Sequence, residues 1–188
     1  GITKHFNDKY CKEVLDNKLY FDLFYGQFNI ELPKILMYNH NYSFIIDNQS
    51  YSIKTSIDFA VKLTELFNRI SSCDAILIKK TYSSSSGSKI YKLFKDQIVK
   101  EPELINEIFS EVNNSSFLFQ ESVTQHPALN KLNPSCLNTI RMDTFINKDG
   151  KIEIISGYLR MSINNSCVDN ISSGGCAVGT ILATGELK

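Results

Sequence analysis

Two arginines in β-prone, mostly apolar surroundings are the first residues here whose types and spacing suit chemistry. Arg141 stands in Leu137-Asn-Thr-Ile-Arg-Met-Asp-Thr-Phe-Ile146 and Arg160 in Lys151-Ile-Glu-Ile-Ile-Ser-Gly-Tyr-Leu-Arg-Met161; Asp169-Asn170 and Gly174-Gly175 follow. A guanidinium offers planar, bidentate donation to carboxylate or phosphate that an ammonium cannot. An arginine inside a strand therefore has an anion to meet, either a ligand or the carboxylate of a structural ion pair. Fixed donors aimed at a transferring phosphoryl group lower the barrier that arises when phosphate oxygens and a carboxylate approach one another. Asn170, with Asp169 and the glycine pair, suits close approach of amide and backbone groups to phosphate or metal.

A second cationic feature lies upstream. Lys79 and Lys80 end the apolar run Ala75-Ile-Leu-Ile78, on opposite faces of a strand, and Ser83-Ser-Ser-Ser-Gly-Ser88 separates them from a return strand, Lys89-Ile-Tyr-Lys-Leu-Phe94. Side chains this small let backbone N–H groups point at an anion, so strand, loop and strand can fold over phosphates as a lid. The alternative is a flexible serine-rich connector.

The elements that must position these groups are legible by period and punctuation. Leu19, Tyr20, Leu23 and Phe24 fall at helical spacing between Asp16, an N-cap residue, and Gly26. Pro33 precedes a strand at Lys34–Tyr38, and Ser43–Ile53 reads as a hairpin turning at Asp47-Asn48. Thr55 and Asp58 have capping-box spacing and open a core helix carrying Phe59, Ala60, Leu63, Leu66, Phe67 and Ile70. Pro102 starts a second helix, with Leu104, Ile105, Ile108, Phe109 and Val112 on one face. Phe117–Val123 is a strand, followed by a loop in which His126 takes a structural role. In the last hairpin, Asn147-Lys-Asp-Gly150 suggests a three-residue loop with Gly150 left-handed, which pairs Arg141 with Gly157 and sends Arg160 to the other face; a two-residue loop pairs Arg141 with Ser156 and puts both arginines on one face. A slip of one residue reverses the outcome.

The order Asn138-Thr-Ile-Arg141, Arg160, Asp169-Asn170, Gly174-Gly175 resembles the phosphate-facing sheet of ATP-grasp ligases. It is most similar to the branch found with sugar-transfer and polysaccharide genes, and more distantly to the ribosomal-protein glutamate ligases. The resemblance runs from about Asp16 to the C-terminus and is specific in the last third. It implies an α+β fold with an N-terminal lobe segment at 1–74, a lid at 75–125 and a catalytic antiparallel sheet at 126–188. It implies ATP and a carboxylate as ligands, with Arg141 and Arg160 catalytic and Lys80, Ser86, Gly87, Glu121, Val123 and Asn170 at the nucleotide. Lys18, on the helix before the proline, is a weaker candidate for ATP, and Gln120 lies behind Glu121. The family's lid carries a Lys-Pro dipeptide and a glycine-rich loop; counting back from Gly87 aligns its lysine with Lys80, but Thr81 replaces the proline and serines replace most glycines. Family members hold Mg²⁺ on carboxylates and an asparagine of later strands, so the metal ligands are expected beyond Lys188, and the chain alone is expected to be inactive. The implied activity is carboxylate–amine ligation through an acyl phosphate in polysaccharide or modified-peptide synthesis; a non-catalytic binding or scaffold module of a polysaccharide-assembly cluster is the alternative.

Composition fits this frame. With 188 residues, 43% of them hydrophobic, the chain can bury a core. Twenty basic and twenty acidic side chains leave no net charge, which disfavours nucleic acid and anionic membranes as partners. Five scattered cysteines without a Cys-x-x-Cys pair fit a reducing cytoplasm, and no cluster of histidines and cysteines suggests a metal site. No apolar run reaches the length of a membrane span. An apolar face exposed where the family's later strands belong would favour association into a homo-oligomer.

Overall fold

The computed structural model describes residues 12–70, 74–82, 90–163 and 169–188. The chain divides into two compact units, one of residues 1–85 and 89–123, the other of 86–88 and 124–188.

In the first unit, helix α1 (Lys12–Asp16) is followed by α2 (Lys18–Tyr25). The cap expected at Asp16 is Asn17: its backbone is extended, and its Oδ1 accepts from the amides of Leu19 at 3.0 Å and Tyr20 at 3.3 Å, while Asp16 closes α1. Strands β1 (Ile35–His40), β2 (Ser43–Ile46) and β3 (Gln49–Ser52) form a meander. Its tight turn is where the sequence puts it, with Asp47 and Asn48 both left-handed at φ 49° and 62°. Thr55 caps α3 (Ser56–Arg69) by accepting from the Asp58 amide at 3.1 Å, and its hydroxyl donates to the Asp58 carboxylate at 2.6 Å. Strands β4 (Ala75–Lys80) and β5 (Ile90–Phe94), a short α4 (Gln97–Lys100), α5 (Pro102–Val112) and β6 (Ser116–Glu121) complete the unit.

These strands make one antiparallel sheet in the order β3-β2-β1-β6-β4-β5. Strands from either side of residue 74 are therefore hydrogen-bonded into the same sheet. The apolar stripes of α3 and α5 cover one face, burying Phe59, Leu63 and Ile108 against Met37, Phe44, Ile76, Ile78, Phe117 and Phe119. The Phe59 ring lies 5.3 Å from Phe109, 5.9 Å from Phe44 and 6.0 Å from Phe119. Buried Asn39 ties β1 to the end of α5 and to β6: its Nδ2 donates to the carbonyls of Asn41, Val112 and Ser115, and its Oδ1 accepts from the Phe117 amide at 3.0 Å.

The second unit contains a short helix α6 (Pro127–Asn130) and a sheet of β7 (Thr139–Ile146), β8 (Ile152–Met161) and β9 (Cys176–Gly179), antiparallel in that order. The His126 ring caps α6, Nδ1 accepting from the Ala128 amide at 3.2 Å, which is the structural role expected of it. Strand β9 is an addition to the two strands read from sequence. At the hairpin, Gly150 is left-handed at φ 74° and Asn147 pairs with Lys151 through its amide, as the three-residue loop requires. One turn further in, Thr144 faces Ile154 but Asp143 faces Ser156, so Ile155 is an extra residue, a β-bulge. The bulge changes the register: Arg141 faces Tyr158 and Thr139 faces Arg160. Both arginines therefore lie on one face of the sheet, although the loop alone predicts opposite faces.

Candidate functional site

In the first unit, the sheet face away from α3 and α5 gathers the polar residues. Strand alternation puts Leu77 and Lys79 of β4 beside Gln120 and Leu118 of β6 on this face, because Leu77 pairs with Gln120 and Lys79 with Leu118. Helix α2 lies against it: the Lys18 amide donates to the Thr81 carbonyl at 2.7 Å, and Gln120 Nε2 donates to Asp22 Oδ2 at 2.7 Å and to the Pro33 carbonyl at 3.2 Å. Gln120 is 1% exposed, and its Oε1 has no hydrogen-bond partner among the described residues. A buried acceptor left unpaired is costly and uncommon in a folded chain.

The charges on this face are poorly solvated. Burial pushes the Lys79 ammonium below the usual lysine value; the Asp22 carboxylate works against that shift and the Lys18 ammonium works with it. Burial lowers Lys18 as well. Burial raises Asp22, opposed by Lys79 and by the hydrogen bond from Gln120. An anionic ligand would favour the charged form of Lys79 against that burial.

The expected nucleotide residues fall on both sides of this sheet. Lys80 faces the core, its Nζ 5.9 Å from the ring centre of Phe117, and it pairs across the ladder with Phe117. Glu121 shares that side, and its carboxylate meets Lys34 Nζ at 3.7 Å. Val123 is exposed beyond the end of β6. Ser86 and Gly87 lie outside the described residues. Lys80 is thus not brought together with Lys18 and Gln120; Lys79 is. Thr81, standing where the family has proline, is buried, and its amide donates to the Ser116 carbonyl at 3.0 Å, a bond proline cannot make.

In the second unit, the arginine face presents Thr139, Arg141 and Asp143 of β7 beside Ser156, Tyr158 and Arg160 of β8. The two guanidiniums differ in what they touch. Arg160 donates to Thr139 Oγ1 from Nε at 3.0 Å and from Nη2 at 2.8 Å, and Nη2 lies 3.3 Å from Asp169 Oδ2; Thr139 Oγ1 also donates to Asp169. The Arg160 and Asp169 side chains are 21% and 15% exposed. Arg141 is 56% exposed and makes a long 3.6 Å ion pair with Asp143. Asn170 caps the 3₁₀ turn Ile171–Ser173, its Oδ1 accepting from the Ser172 amide at 3.4 Å. A Cβ on Gly175 would sit 2.5 Å from the Asp169 carbonyl oxygen, so the close approach this glycine permits is to the chain's own backbone. A cavity of about 500 Å³ opens beside β8 and is walled in part by Gly157, Tyr158, Thr180 and Lys188.

Sequence reasoning did not single out Asp22 or Thr139, and it aligned the family's lysine with Lys80, leaving Lys79 on the opposite face of the strand as the alternative. A signal existed for the first: Lys18 and Asp22 are four apart and share a helix face. Among the described residues, no three His, Cys, Asp or Glu side chains gather in a way that could hold a metal ion. The magnesium that ATP-grasp proteins bind with ATP therefore has no fitting carboxylate set among them. No described helix is long and apolar enough to cross a membrane.

No curated protein matches the chain. The family described as sugar-transfer associated ATP-grasp matches residues 2–188, and the helices and antiparallel sheets agree with it. The chain belongs to the sugar-transfer associated ATP-grasp family.

Proposed function

We propose that the chain supplies the ATP-binding portion of a carboxylate–amine ligase that works through an acyl phosphate in the cytoplasm, in polysaccharide or modified-peptide biosynthesis. The observation that carries this reading is the gathering of the Lys18 and Lys79 ammoniums beside Asp22 on one face of one sheet. A nucleotide complements the two ammoniums, which meet its phosphate oxygens. The backbone from Glu121 to Val123 then meets the base edge; Ser86 and Gly87, which the resemblance assigns to the nucleotide, lie outside the described residues. Lys80 supports the strand from its core side.

ATP supplies the phosphoryl group. The carboxylate oxygen attacks the γ-phosphorus, forming a P–O bond as ADP leaves, and the amine then attacks the acyl carbon and expels phosphate. Arg141, exposed and weakly engaged, is the guanidinium available to the developing phosphate charge. Arg160 holds the strand end through Thr139 and Asp169, and Asn170 shapes the adjoining turn.

Calorimetric titration with a non-hydrolysable ATP analogue tests the reading. The chain is expected to bind saturably, with Lys79→Ala weakening affinity by about tenfold or more, the loss of one charge-assisted contact, and Lys80→Ala changing it little. Folded protein with no nucleotide affinity would overturn the reading in favour of a non-catalytic scaffold module.

A further inference from the structure

Strand β7 ends the three-stranded sheet, and among the described residues it pairs with β8 alone. A bond on the far side of β8 shows which of its backbone groups face outward. The Gly157 carbonyl accepts from the Thr180 amide at 2.9 Å, so the Gly157 backbone turns away from β7. In an antiparallel ladder two residues directly opposite each other turn their N–H and C=O groups either both toward one another or both away. Met142 faces Gly157, so its backbone groups point off the free edge, and by alternation those of Ile140 and Thr144 do the same. This run is open to solvent: Ile140 and Met142 are 58% and 56% exposed, and the Arg141 and Asp143 side chains 56% and 45%. A row of outward N–H and C=O groups is a template for another strand.

The charges on the strand choose the partner. Arg141 and Asp143 are the charged residues of β7, and they stand on either side of Met142 on one face. Two copies related by a two-fold axis can pair β7 antiparallel with itself. An axis through Met142 sets Arg141 of each copy opposite Asp143 of the other, while Met142 meets Met142 and Ile140 meets Thr144 with their outward backbone groups exchanging hydrogen bonds. An axis through Arg141 opposes the two guanidiniums, and one through Asp143 opposes the two carboxylates; like charges directly opposite are destabilising. In the favoured register the Arg141–Asp143 pairs are the non-hydrogen-bonded ones, in which side chains come closest. We propose that β7 is a self-complementary edge, on which a second copy of this chain docks strand to strand about Met142 with the two Arg141–Asp143 pairs fixing the register. The proposal is independent of the nucleotide reading. A phosphate and a second copy would compete for the Arg141 guanidinium.

Sedimentation velocity over a concentration series tests the partner. The mass of the unaltered chain is expected to double as concentration rises. Asp143→Arg makes the strand wholly basic and Arg141→Asp makes it wholly acidic. Each variant alone is expected to self-associate about 30-fold more weakly, two attractive pairs having become two repulsive ones. Mixed in equal amounts, the two variants should bind each other within about threefold of the parent affinity, because a basic and an acidic strand meet in the same register. Loss of the contact between Arg141 and Asp143 within one chain cannot produce that recovery. A parent chain that stays monomeric, which would give the edge to a strand of some other protein, overturns the proposal; so do a dimer that survives both substitutions and folded variants that fail to pair when mixed. Amide hydrogen exchange decides the geometry without any variant. The amides of Ile140, Met142 and Thr144 should exchange fast in dilute solution and slowly once the dimer forms, while that of Arg141, which faces β8, is slow in both. Exchange at those three amides that does not change with concentration overturns the proposal.

Discussion

Arg141 and Arg160 lie on one sheet face, yet their removal should have opposite consequences. Truncating Arg160 to alanine deletes two hydrogen bonds to Thr139 and the 3.3 Å ion pair, and leaves the mostly buried Asp169 carboxylate with one hydroxyl partner. Breaking a buried pair costs about 3–5 kcal/mol; with this pair partly solvated, about 2 kcal/mol is expected. Arg141→Ala removes a half-exposed pair at 3.6 Å, and exposed pairs are worth about 0–1 kcal/mol. Because the chain has two units, a single unfolding midpoint is a poor readout, whereas amide hydrogen exchange reports the β7–β9 sheet alone. Its slowest amides should exchange about 30-fold faster in Arg160→Ala and no more than about fivefold faster in Arg141→Ala. Binding of a phosphate-bearing ligand should follow the reverse order. Equal acceleration in both variants, or none in Arg160→Ala, would refute the assignment of one arginine to structure and the other to the anion.

Two further substitutions probe the first unit. Asn39→Leu fills the volume but takes from the Phe117 amide its side-chain acceptor and leaves the Val112 carbonyl with the Ser115 amide alone; a buried unpaired group costs about 1–3 kcal/mol, and a loss of about 2 kcal/mol is expected. The slowest amides of the six-stranded sheet should then exchange about 30-fold faster. Lys79→Met should stabilise the protein at neutral pH by about 1 kcal/mol while weakening nucleotide binding, since it removes a poorly solvated charge. The sign with pH follows from the lowered folded-state pKa. Between that value and the ordinary lysine value of 10.5 the unfolded chain binds a proton the native one does not, so stability rises with pH across that window. Stability measured against alkaline pH should rise less in Lys79→Met, retaining the share due to Lys18.

Features encoded by neighbouring residues were legible from sequence. The turn at Asp47-Asn48 needs two left-handed residues, the start of α3 needs a hydroxyl three residues before a carboxylate, and α5 needs a proline followed by an apolar stripe. Asp16 and Asn17 are both good caps, and the choice fell to the one whose backbone the α1–α2 junction leaves extended. Alternation puts Lys79 and Lys80 on opposite faces, but which face α3 and α5 cover is a matter of packing between distant segments. The bulge at Ile155 has no glycine or proline to announce it, and it alone moved Arg160 to the side of Arg141. The orientation of Gln120 depends on Asp22, ninety-eight positions away.

Hydrogen-exchange mapping with and without a non-hydrolysable ATP analogue tests the central claim most directly. The account predicts protection at Lys18–Asp22 of α2, at the Lys79 end of β4 and from Leu118 to Val123. Protection confined to the helix-covered side, at α3 and α5, or no protection anywhere, would contradict it.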